Sequence, residues 1–359
     1  MNITIVGGGN IGTQFAVHCA HKGHAVTIFS SKPERFGETL RCVDAQGRET
    51  LSGKIRGATA DPAQAFGAAD IIFVTVPADC MAQYATVITP YAGPGMKIGL
   101  IPGTGGGECA FGACREKGAV IFGLQRVPAV ARLVEYGKTV CSTGYRGQLH
   151  AAALPKKETA ACCKLLESIF DIPCAALPDY LNLTLTPSNP ILHTTRLRTL
   201  YGDYKPGVVY KEIPLFYQHW SDESSRLLIA CDEEVQRLCQ ALKEFDLSGV
   251  RSLKEHYESD TVEKMTHKIS HIPAFQGLTS PQKAVDGGFI PDMSSRYFTA
   301  DFSYGLAILL QVAQMANVPA PNMKETMRWY ENLAGQPNTF RFSHWGIENY
   351  DDFVRFYLQ

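Results

Sequence analysis

The chain has 359 residues, of which 45% are hydrophobic and 19% are charged, and its formal net charge is −1. This length accommodates two domains, each with a core of its own. The near-neutral charge excludes the electrostatic footprint of a protein that binds nucleic acid or an anionic membrane surface. No run of about 18 apolar residues occurs, so we expect no membrane span.

The 11 cysteines are scattered through the sequence without C-x-x-C pairs, and only Cys162 and Cys163 are adjacent. This distribution is typical of free thiols in a reducing compartment rather than of a disulfide framework. No cluster of cysteine and histidine has the spacing of a zinc site, so we expect no metal. The sequence opens on an apolar strand without the basic segment of a secretory signal, and we predict a cytoplasmic protein.

A dinucleotide-binding turn is predicted at the first strand, which ends at Val6. The next six residues form a G-x-G-x-x-G pattern, followed by a helix at Ile11–Lys22 and a second strand at Ala25–Phe29. In such a unit the glycines permit the tight turn, the approach of a pyrophosphate and close packing of the helix. The predicted cofactor contacts here are Gly7, Gly9, Asn10, Ile11 and Gly12.

The end of the second strand favours NADP over NAD. NAD sites usually carry Asp or Glu about 20 residues after the glycines, where it binds the ribose diol. This strand ends instead in hydroxyls and cations, which suit a 2′-phosphate, although Glu34 offers an alternative contact to the ribose. The predicted contacts are Ser30, Ser31, Lys32 and Arg35.

Further strands and helices alternate up to about residue 180. Ile71–Val76 is a continuous apolar run, as in a strand buried on both faces of a parallel sheet. It ends at Val76 and Pro77, at the sheet edge where such folds bind ligands. Later strands are predicted at Met96–Ile101, Ala119–Phe122, Lys138–Ser142 and Cys174–Leu177. We therefore predict a dinucleotide-binding domain at 1–180 with an α/β, Rossmann-type, doubly wound parallel sheet.

The second half, 181–359, is predicted to be an all-α domain that carries substrate and catalytic groups. Long helical periodicities occupy Asp222–Phe245 and Leu306–Ala316. We expect substrate to bind in the cleft between the two domains, as small ligands often do. The aromatic candidates for its lining are Tyr201, Tyr204, Tyr217, His219 and Trp220, most of which we expect to be core residues.

Two segments of this half carry candidate chemistry. In the first, Asn189 caps a predicted helix and His193 follows one turn later, where an imidazole could serve as acid or base. In the second, Arg296 could clamp a substrate carboxylate and Asp301 could orient a histidine. Considered alone, Arg296 and Asp301 are better explained as a surface cation and a helix-terminal acid.

In several segments, and in the same order, the chain resembles the opine dehydrogenases of the octopine and nopaline type. The segments are G-G-G-N-I-G, V-T-V-P-A, I-P-G-T-G-G, N-P-I-L-H and S-R-Y-F-T-A-D-F-S-Y-G-L. The resemblance implies NAD(P)H-dependent reductive condensation of an α-keto acid, such as pyruvate, with an amino acid to a secondary amine dicarboxylate. It also implies that His193 and Asp301 are catalytic, that Arg296 holds a substrate carboxylate and that Asn189 is a substrate-binding residue.

Departures from the family pattern keep two alternatives open. Thr194 stands where relatives often have proline, and the acid of NADH-using members is missing from the second strand. One alternative is a ketone reductase like 2-dehydropantoate 2-reductase, although the lysine of those enzymes is missing between Leu181 and Arg198. The other is a dinucleotide-binding redox sensor without turnover. Self-association into a homo-oligomer is compatible with the sequence.

Overall fold

The computed structural model describes residues 1–335 and 337–358, and it divides the chain into two compact units. The first is Met1–Thr184 together with the C-terminal segment from Arg355, and the second is Leu185–Val354. The predicted boundary at 180 therefore differs from the observed division. The difference arises because Thr184 and Tyr357 both donate hydrogen bonds to the buried carboxylate of Glu108, at 2.5 and 2.7 Å.

The strands of the first unit, in chain order, are β1 (Asn2–Val6), β2 (Ala25–Phe29), β3 (Thr39–Val43), β4 (Glu49–Lys54), β5 (Gly57–Thr59), β6 (Ile71–Val74), β7 (Lys97–Leu100), β8 (Val120–Leu124), β9 (Val130–Glu135), β10 (Thr139–Thr143), β11 (Leu149–Leu154) and β12 (Cys174–Ala176). Its helices are α1 (Asn10–His21), α2 (Pro62–Phe66), α3 (Met81–Ile88), α4 (Gly107–Ala110), α5 (Gly112–Glu116), α6 (Thr159–Phe170) and α7 (Leu181–Thr184).

The main sheet of this unit has the strand order β12-β11-β8-β7-β6-β1-β2-β5. From β8 to β5 all neighbours are parallel, which confirms the predicted doubly wound parallel sheet. Strands β11 and β12 run the other way, because β11 pairs antiparallel with β8. The strand order reverses between β1 and β6, and the turn at Gly7 follows β1 at this switch point.

A second sheet, of order β4-β3-β10-β9, contains the strand predicted at Lys138–Ser142. The prediction that this strand, β10, belongs to the main sheet was wrong. Alternate residues of β10 are buried, as in a strand covered on one face, whereas β6 is buried throughout. The second sheet packs on α1: a Cβ on Gly53 would lie 2.6 Å from the Cβ of Ala20. Helix α1 is consequently buried from Gly12 to Ala20, well beyond its predicted apolar face.

The second unit is predominantly helical, as predicted. Its elements are α8 (Ser188–Tyr201), α9 (Asp222–Ala241), α10 (Leu253–His256), α11 (Val262–Ser270), β13 (Gln282–Val285), β14 (Gly288–Pro291), α12 (Arg296–Thr299), α13 (Ala307–Met315), α14 (Pro321–Ala334) and α15 (Tyr350–Leu358), which runs on into the first unit. The hairpin of β13 and β14 was not predicted. Within 1–335 and 337–358, no helix has both the length and the apolar character needed to cross a bilayer.

Buried His18 on α1 should make stability depend on pH. Its Nε2 lies 3.0 Å from the Tyr145 hydroxyl, its ring packs on Phe170, and burial lowers its pKa to about 4. Below pH 6.5 this histidine is protonated in the unfolded chain but stays neutral in the folded protein. The free energy of unfolding therefore falls as the pH drops from 6.5 towards 4. The loss between pH 7.5 and pH 5 should be about 2 kcal/mol.

Thermal unfolding of His18→Phe tests this expectation, because phenylalanine cannot be protonated and keeps a ring against Phe170. Between pH 7.5 and pH 5 the Tm of the wild type should fall by about 4 to 8 °C more than that of the variant. The control is His21→Gln, at an exposed histidine of the same helix. Equal pH dependence in wild type and His18→Phe would show that His18 does not carry the effect.

Candidate active site

The glycine-rich turn after β1 has the close packing that a dinucleotide site needs. Gly7 has a φ of +98°, which glycine adopts readily. A Cβ on Gly12 would lie 1.8 Å from the carbonyl oxygen of Gly7 and 2.7 Å from the Thr75 hydroxyl. A Cβ on Gly9 would meet nothing within 4 Å. The turn is therefore tightly packed at Gly12 and open at Gly9, where there is room for a group such as a pyrophosphate.

The first turn of α1 presents backbone N–H groups that no side chain caps, since Gly9 is the N-cap residue. Such a terminus favours an anion, through its unsatisfied donors and the helix dipole. The side chain of Asn10 is engaged elsewhere: its Oδ1 accepts the Leu133 N–H at 2.8 Å. Ile11 is half-buried against the core. The side chains of Asn10 and Ile11 are thus directed to the protein, and a contact of either residue with a cofactor through the backbone stays a prediction.

The end of β2 gathers the residues predicted to distinguish the cofactors. Ser30 is buried, and its hydroxyl lies 3.2 Å from that of Tyr136 and accepts the Lys32 N–H at 3.2 Å. The Arg35 guanidinium stacks 4.7 Å above the Tyr136 ring. Ser31, Lys32 and Arg35 are exposed. Sequence reasoning missed Tyr136, because it comes from the connection of β9 to β10 rather than from the motif.

Val76 and Pro77 follow β6, next to the glycine-rich turn. The Val76 Cγ1 atom lies 3.1 Å from the position that a Cβ of Gly7 would take. Val76 is half-buried and Pro77 is exposed. Both lie at the carboxyl edge of the sheet, where the sequence predicted them.

In the second unit, His193 lies one turn inside α8, with 8% of its side chain exposed. The helix begins at Ser188 with Pro187 as its N-cap residue and without a side-chain cap. The prediction that Asn189 caps this helix was therefore wrong. Asn189 is the second helical residue and is exposed, because the helix starts two residues earlier than its sequence suggested.

Asp301 immediately precedes a wide π-helical turn, Phe302–Leu306, in which the Leu306 N–H donates to the Asp301 carbonyl at 2.8 Å. Turns of this kind occur frequently at functional sites. A Cβ on Gly305 would lie 2.9 Å from the Pro190 ring, so the absence of a side chain lets this turn pack closely on α8. This packing brings Asp301 to the histidine.

His193 and Asp301 meet directly. The Nδ1 atom of His193 lies 2.7 Å from the Asp301 Oδ2 atom, and the Asp301 side chain is 15% exposed. Since a carboxylate only accepts, the imidazole carries its proton on Nδ1 and leaves Nε2 for exchange. The Nε2 atom lies 2.7 Å from the Tyr217 hydroxyl. The predicted juxtaposition of His193 and Asp301 is confirmed, and Tyr217 is an additional partner.

Arg296 is the first residue of α12 and is exposed, and no hydrogen bond or ion pair engages its guanidinium in the described parts of the chain. It precedes Tyr297, whose ring meets the His193 ring edge-on at 4.5 Å. The Arg296 guanidinium is therefore free to bind a ligand. Arg296 is adjacent in sequence to Tyr297, which contacts His193. Asn189, one helical turn before His193, is likewise exposed.

Arg196 is a buried cation that sequence reasoning did not single out. It lies on α8, and its guanidinium donates to the backbone carbonyls of Phe216 and His219, each at 2.8 Å, and to that of Leu215 at 3.4 Å. Burial lowers its pKa to about 10, so it stays charged at neutral pH. The segment carrying Tyr217 is thus fixed to the helix carrying His193.

Of the aromatic candidates, Tyr201, Tyr217 and Trp220 are buried, in line with the expectation that most are core residues. His219 is exposed, and its Nδ1 accepts the Leu215 N–H at 3.0 Å. Across 1–335 and 337–358, no group of three or more His, Cys, Asp or Glu side chains is arranged to hold a metal ion.

Comparisons with known proteins match both units. Residues 176–334 match the family described as NAD/NADP octopine/nopaline dehydrogenase, alpha-helical domain, and residues 2–100 match the NAD-dependent glycerol-3-phosphate dehydrogenase N-terminus. Tauropine dehydrogenase of Arabella iricolor is 26% identical, covering 93% of this chain and 91% of the relative. Opine dehydrogenase of Haliotis discus hannai is 29% identical, covering 94% and 91%.

A solved structure of octopine dehydrogenase with NADH and L-arginine superposes with a TM-score of 0.86 at 23% identity, covering 99% of this chain and 98% of that one. This similarity confirms the fold. Together, a dinucleotide-binding sheet and a helical unit with a His–Asp pair define an NAD(P)-dependent oxidoreductase. Residues 176–334 match the octopine/nopaline dehydrogenase family, and over most of its length the chain is similar to tauropine and opine dehydrogenases.

Proposed function

We propose that the chain catalyses the NAD(P)H-dependent reductive condensation of an α-keto acid, such as pyruvate, with an amino acid. The product is a secondary amine dicarboxylate. The observation that carries the proposal is the 2.7 Å hydrogen bond between His193 Nδ1 and Asp301 Oδ2. Relatives named tauropine and opine dehydrogenase support the substrate class.

His193 and Asp301 divide the proton chemistry between them. The reaction joins a keto carbonyl and a protonated amine, releases water, and consumes one proton along with the hydride. His193 delivers a proton from Nε2 to the departing oxygen, while Asp301 holds Nδ1–H and stabilises the imidazolium. Arg296 holds a substrate carboxylate through its planar fork, and Asn189 contributes a polar contact.

The first unit would hold the cofactor through the backbone of Gly7, Gly9 and Gly12 and the free N–H groups at the start of α1. When bound, the reduced nicotinamide supplies the hydride. Asn10, Ile11, Val76 and Pro77 border the same turn. We infer a cytoplasmic location, supported by the free state of all 11 cysteines.

We propose that NADPH is preferred over NADH. Three features at the end of β2 support this preference. The Ser30 hydroxyl is fixed by Tyr136, the exposed Arg35 guanidinium is oriented by stacking on the same ring, and Ser31 and Lys32 are exposed beside them. A guanidinium fork and hydroxyls match a phosphate dianion better than they match a ribose diol.

Arg35→Ala tests the preference. It should raise the KM for NADPH by about 5- to 20-fold, because one charge-assisted contact to the phosphate is lost, and leave the KM for NADH nearly unchanged. Arg48→Ala, at an exposed arginine of the same unit, is the matched control. A wild type that prefers NADH, or an equal effect of Arg35→Ala on both cofactors, would reject the assignment.

Co-substrate dependence tests the proposed function itself. NADPH and NADH oxidation should be measured with pyruvate alone, with each amino acid alone and with both together, and products identified by mass. We expect oxidation only when keto acid and amine are both present, with a product mass corresponding to a secondary amine. Equal oxidation with the keto acid alone would instead identify a ketone reductase. No oxidation with any pair, despite cofactor binding, would favour a redox sensor.

A further inference from the structure

Both ring nitrogens of His193 are hydrogen-bonded, and the second partner has no role in the proposed function so far. Asp301 accepts a hydrogen bond from Nδ1–H, while the Tyr217 hydroxyl lies 2.7 Å from Nε2. When the imidazole is neutral, the tyrosine donates its O–H to the Nε2 lone pair. When the imidazole is charged, Nε2–H donates to the tyrosine oxygen. A hydroxyl accommodates both states because it can donate and accept.

The Tyr217 hydroxyl also reaches a third group. The side chain of Tyr297 interacts with this hydroxyl, and its ring packs edge-on against His193. Tyr217 is 4% exposed, whereas Tyr297 is half-buried. The series from Asp301 through His193 and Tyr217 to Tyr297 therefore leads from a buried imidazole to a side chain that water can reach.

Tyr217 is held rigidly in this position. Its ring stacks on Phe275 with ring centroids 4.1 Å apart and an interplanar angle of 20°. Arg196 fixes the backbone on both sides of it, through the carbonyls of Phe216 and His219. Burying a guanidinium costs free energy, and here that group is paired with backbone carbonyls instead of a carboxylate. We infer that the position of the segment carrying Tyr217 matters.

We propose that Tyr217 and Tyr297 form a relay that returns to His193 the proton consumed in each condensation. This inference rests on the proposed function, in which His193 gives a proton to the departing oxygen. Nε2 then accepts the Tyr217 proton as that O–H bond breaks, and Tyr217 takes the proton of Tyr297. Tyr297 regains one from water, so one solvent proton enters per turnover. The Nε2 atom thus first donates its proton to the substrate and then accepts a proton from Tyr217.

The transfers along the relay have to be concerted. Burial raises the pKa of Tyr217 well above its usual value, so a free phenolate there is strongly disfavoured. The proton leaving Tyr217 must therefore be replaced from Tyr297 in the same event. Tyr217 acts through His193 and is a positioning and proton-transferring residue, while His193 acts on the substrate.

Tyr217→Phe tests the relay, because it keeps the ring stacked on Phe275 and removes only the hydroxyl. We expect kcat to fall by about 10- to 100-fold with little change in KM. Proton return should become rate-limiting, so the solvent deuterium effect on kcat should rise above that of the wild type. Small buffer acids such as imidazole should restore kcat in proportion to their concentration. The matched control is Tyr350→Phe, which removes a hydroxyl that donates to the Glu244 carboxylate in the same unit.

Two results would overturn the relay while leaving the proposed function intact. One is a wild-type kcat in Tyr217→Phe when His193→Ala is inactive. The other is a slow Tyr217→Phe with an unchanged solvent deuterium effect and no response to buffer, which a purely structural role would produce. If His193→Ala itself kept wild-type kcat, both the relay and the proposed role of His193 would fall.

Discussion

Replacing His193 by alanine should lower kcat for NAD(P)H oxidation with keto acid and amine by about 10²- to 10⁴-fold. The variant loses the group that we propose exchanges a proton at Nε2 and leaves the Asp301 carboxylate without its donor. Affinity for NAD(P)H should change little, since the glycine-rich turn belongs to the first unit. Steady-state kinetics and cofactor fluorescence titration measure the two effects separately.

The control for this prediction is His267→Ala, at an exposed histidine of the same unit. It should keep wild-type kcat. If His193→Ala retained more than about a tenth of the wild-type kcat, the loss would lie below the range of acid–base catalysis, and His193 would not be the proton-exchanging group.

The second large effect concerns the glycine-rich turn, where two glycines should respond differently to alanine. A Cβ on Gly9 has open space around it, and the φ of Gly9 is −79°, so Gly9→Ala should fold normally. Its methyl group would stand where we propose that the pyrophosphate approaches. We expect a loss of about 1 to 3 kcal/mol in cofactor binding, or roughly 5- to 160-fold in Kd, with an unchanged Tm.

Gly12→Ala should affect binding and stability together. Its Cβ would overlap the Gly7 carbonyl oxygen at 1.8 Å, so α1 has to move away from the turn. We expect a lower Tm as well as a higher Kd, because both the packing of the buried helix and the shape of the turn change. Equal cofactor affinity in wild type and Gly9→Ala would show that the pyrophosphate does not approach at this turn.

The features of the first unit that the sequence predicted correctly are local. Gly7 to Gly12 follow a short strand, so chain geometry alone indicates the turn and helix α1. The second sheet was missed because β3 and β4 lie in a stretch with weak patterning. Strand β10 was predicted as a strand, but the sequence did not indicate which sheet it joins. In the structure, its alternating burial distinguishes it from the strands of the main sheet. Sheet membership is set by tertiary pairing.

In the second unit, the pairing of His193 with Asp301 was inferred from the family resemblance, since 108 residues separate them. The bond between His193 and Tyr217 could not be predicted, because Tyr217 lies in an irregular segment held by Arg196 through backbone carbonyls. The π-helical turn after Asp301 was also missed, since Phe302–Leu306 has the composition of an ordinary helix.

A double-mutant cycle tests most directly whether His193 and Asp301 act as one unit in the condensation. The kcat of the wild type, His193→Ala, Asp301→Ala and the double variant should be compared with the same keto acid and amine. Residues that act as a unit give strongly non-additive losses. We predict that Asp301→Ala is severely impaired and that the double variant is no slower than His193→Ala. A double variant whose loss equals the product of the two single losses, or an Asp301→Ala variant with wild-type kcat, would contradict the account.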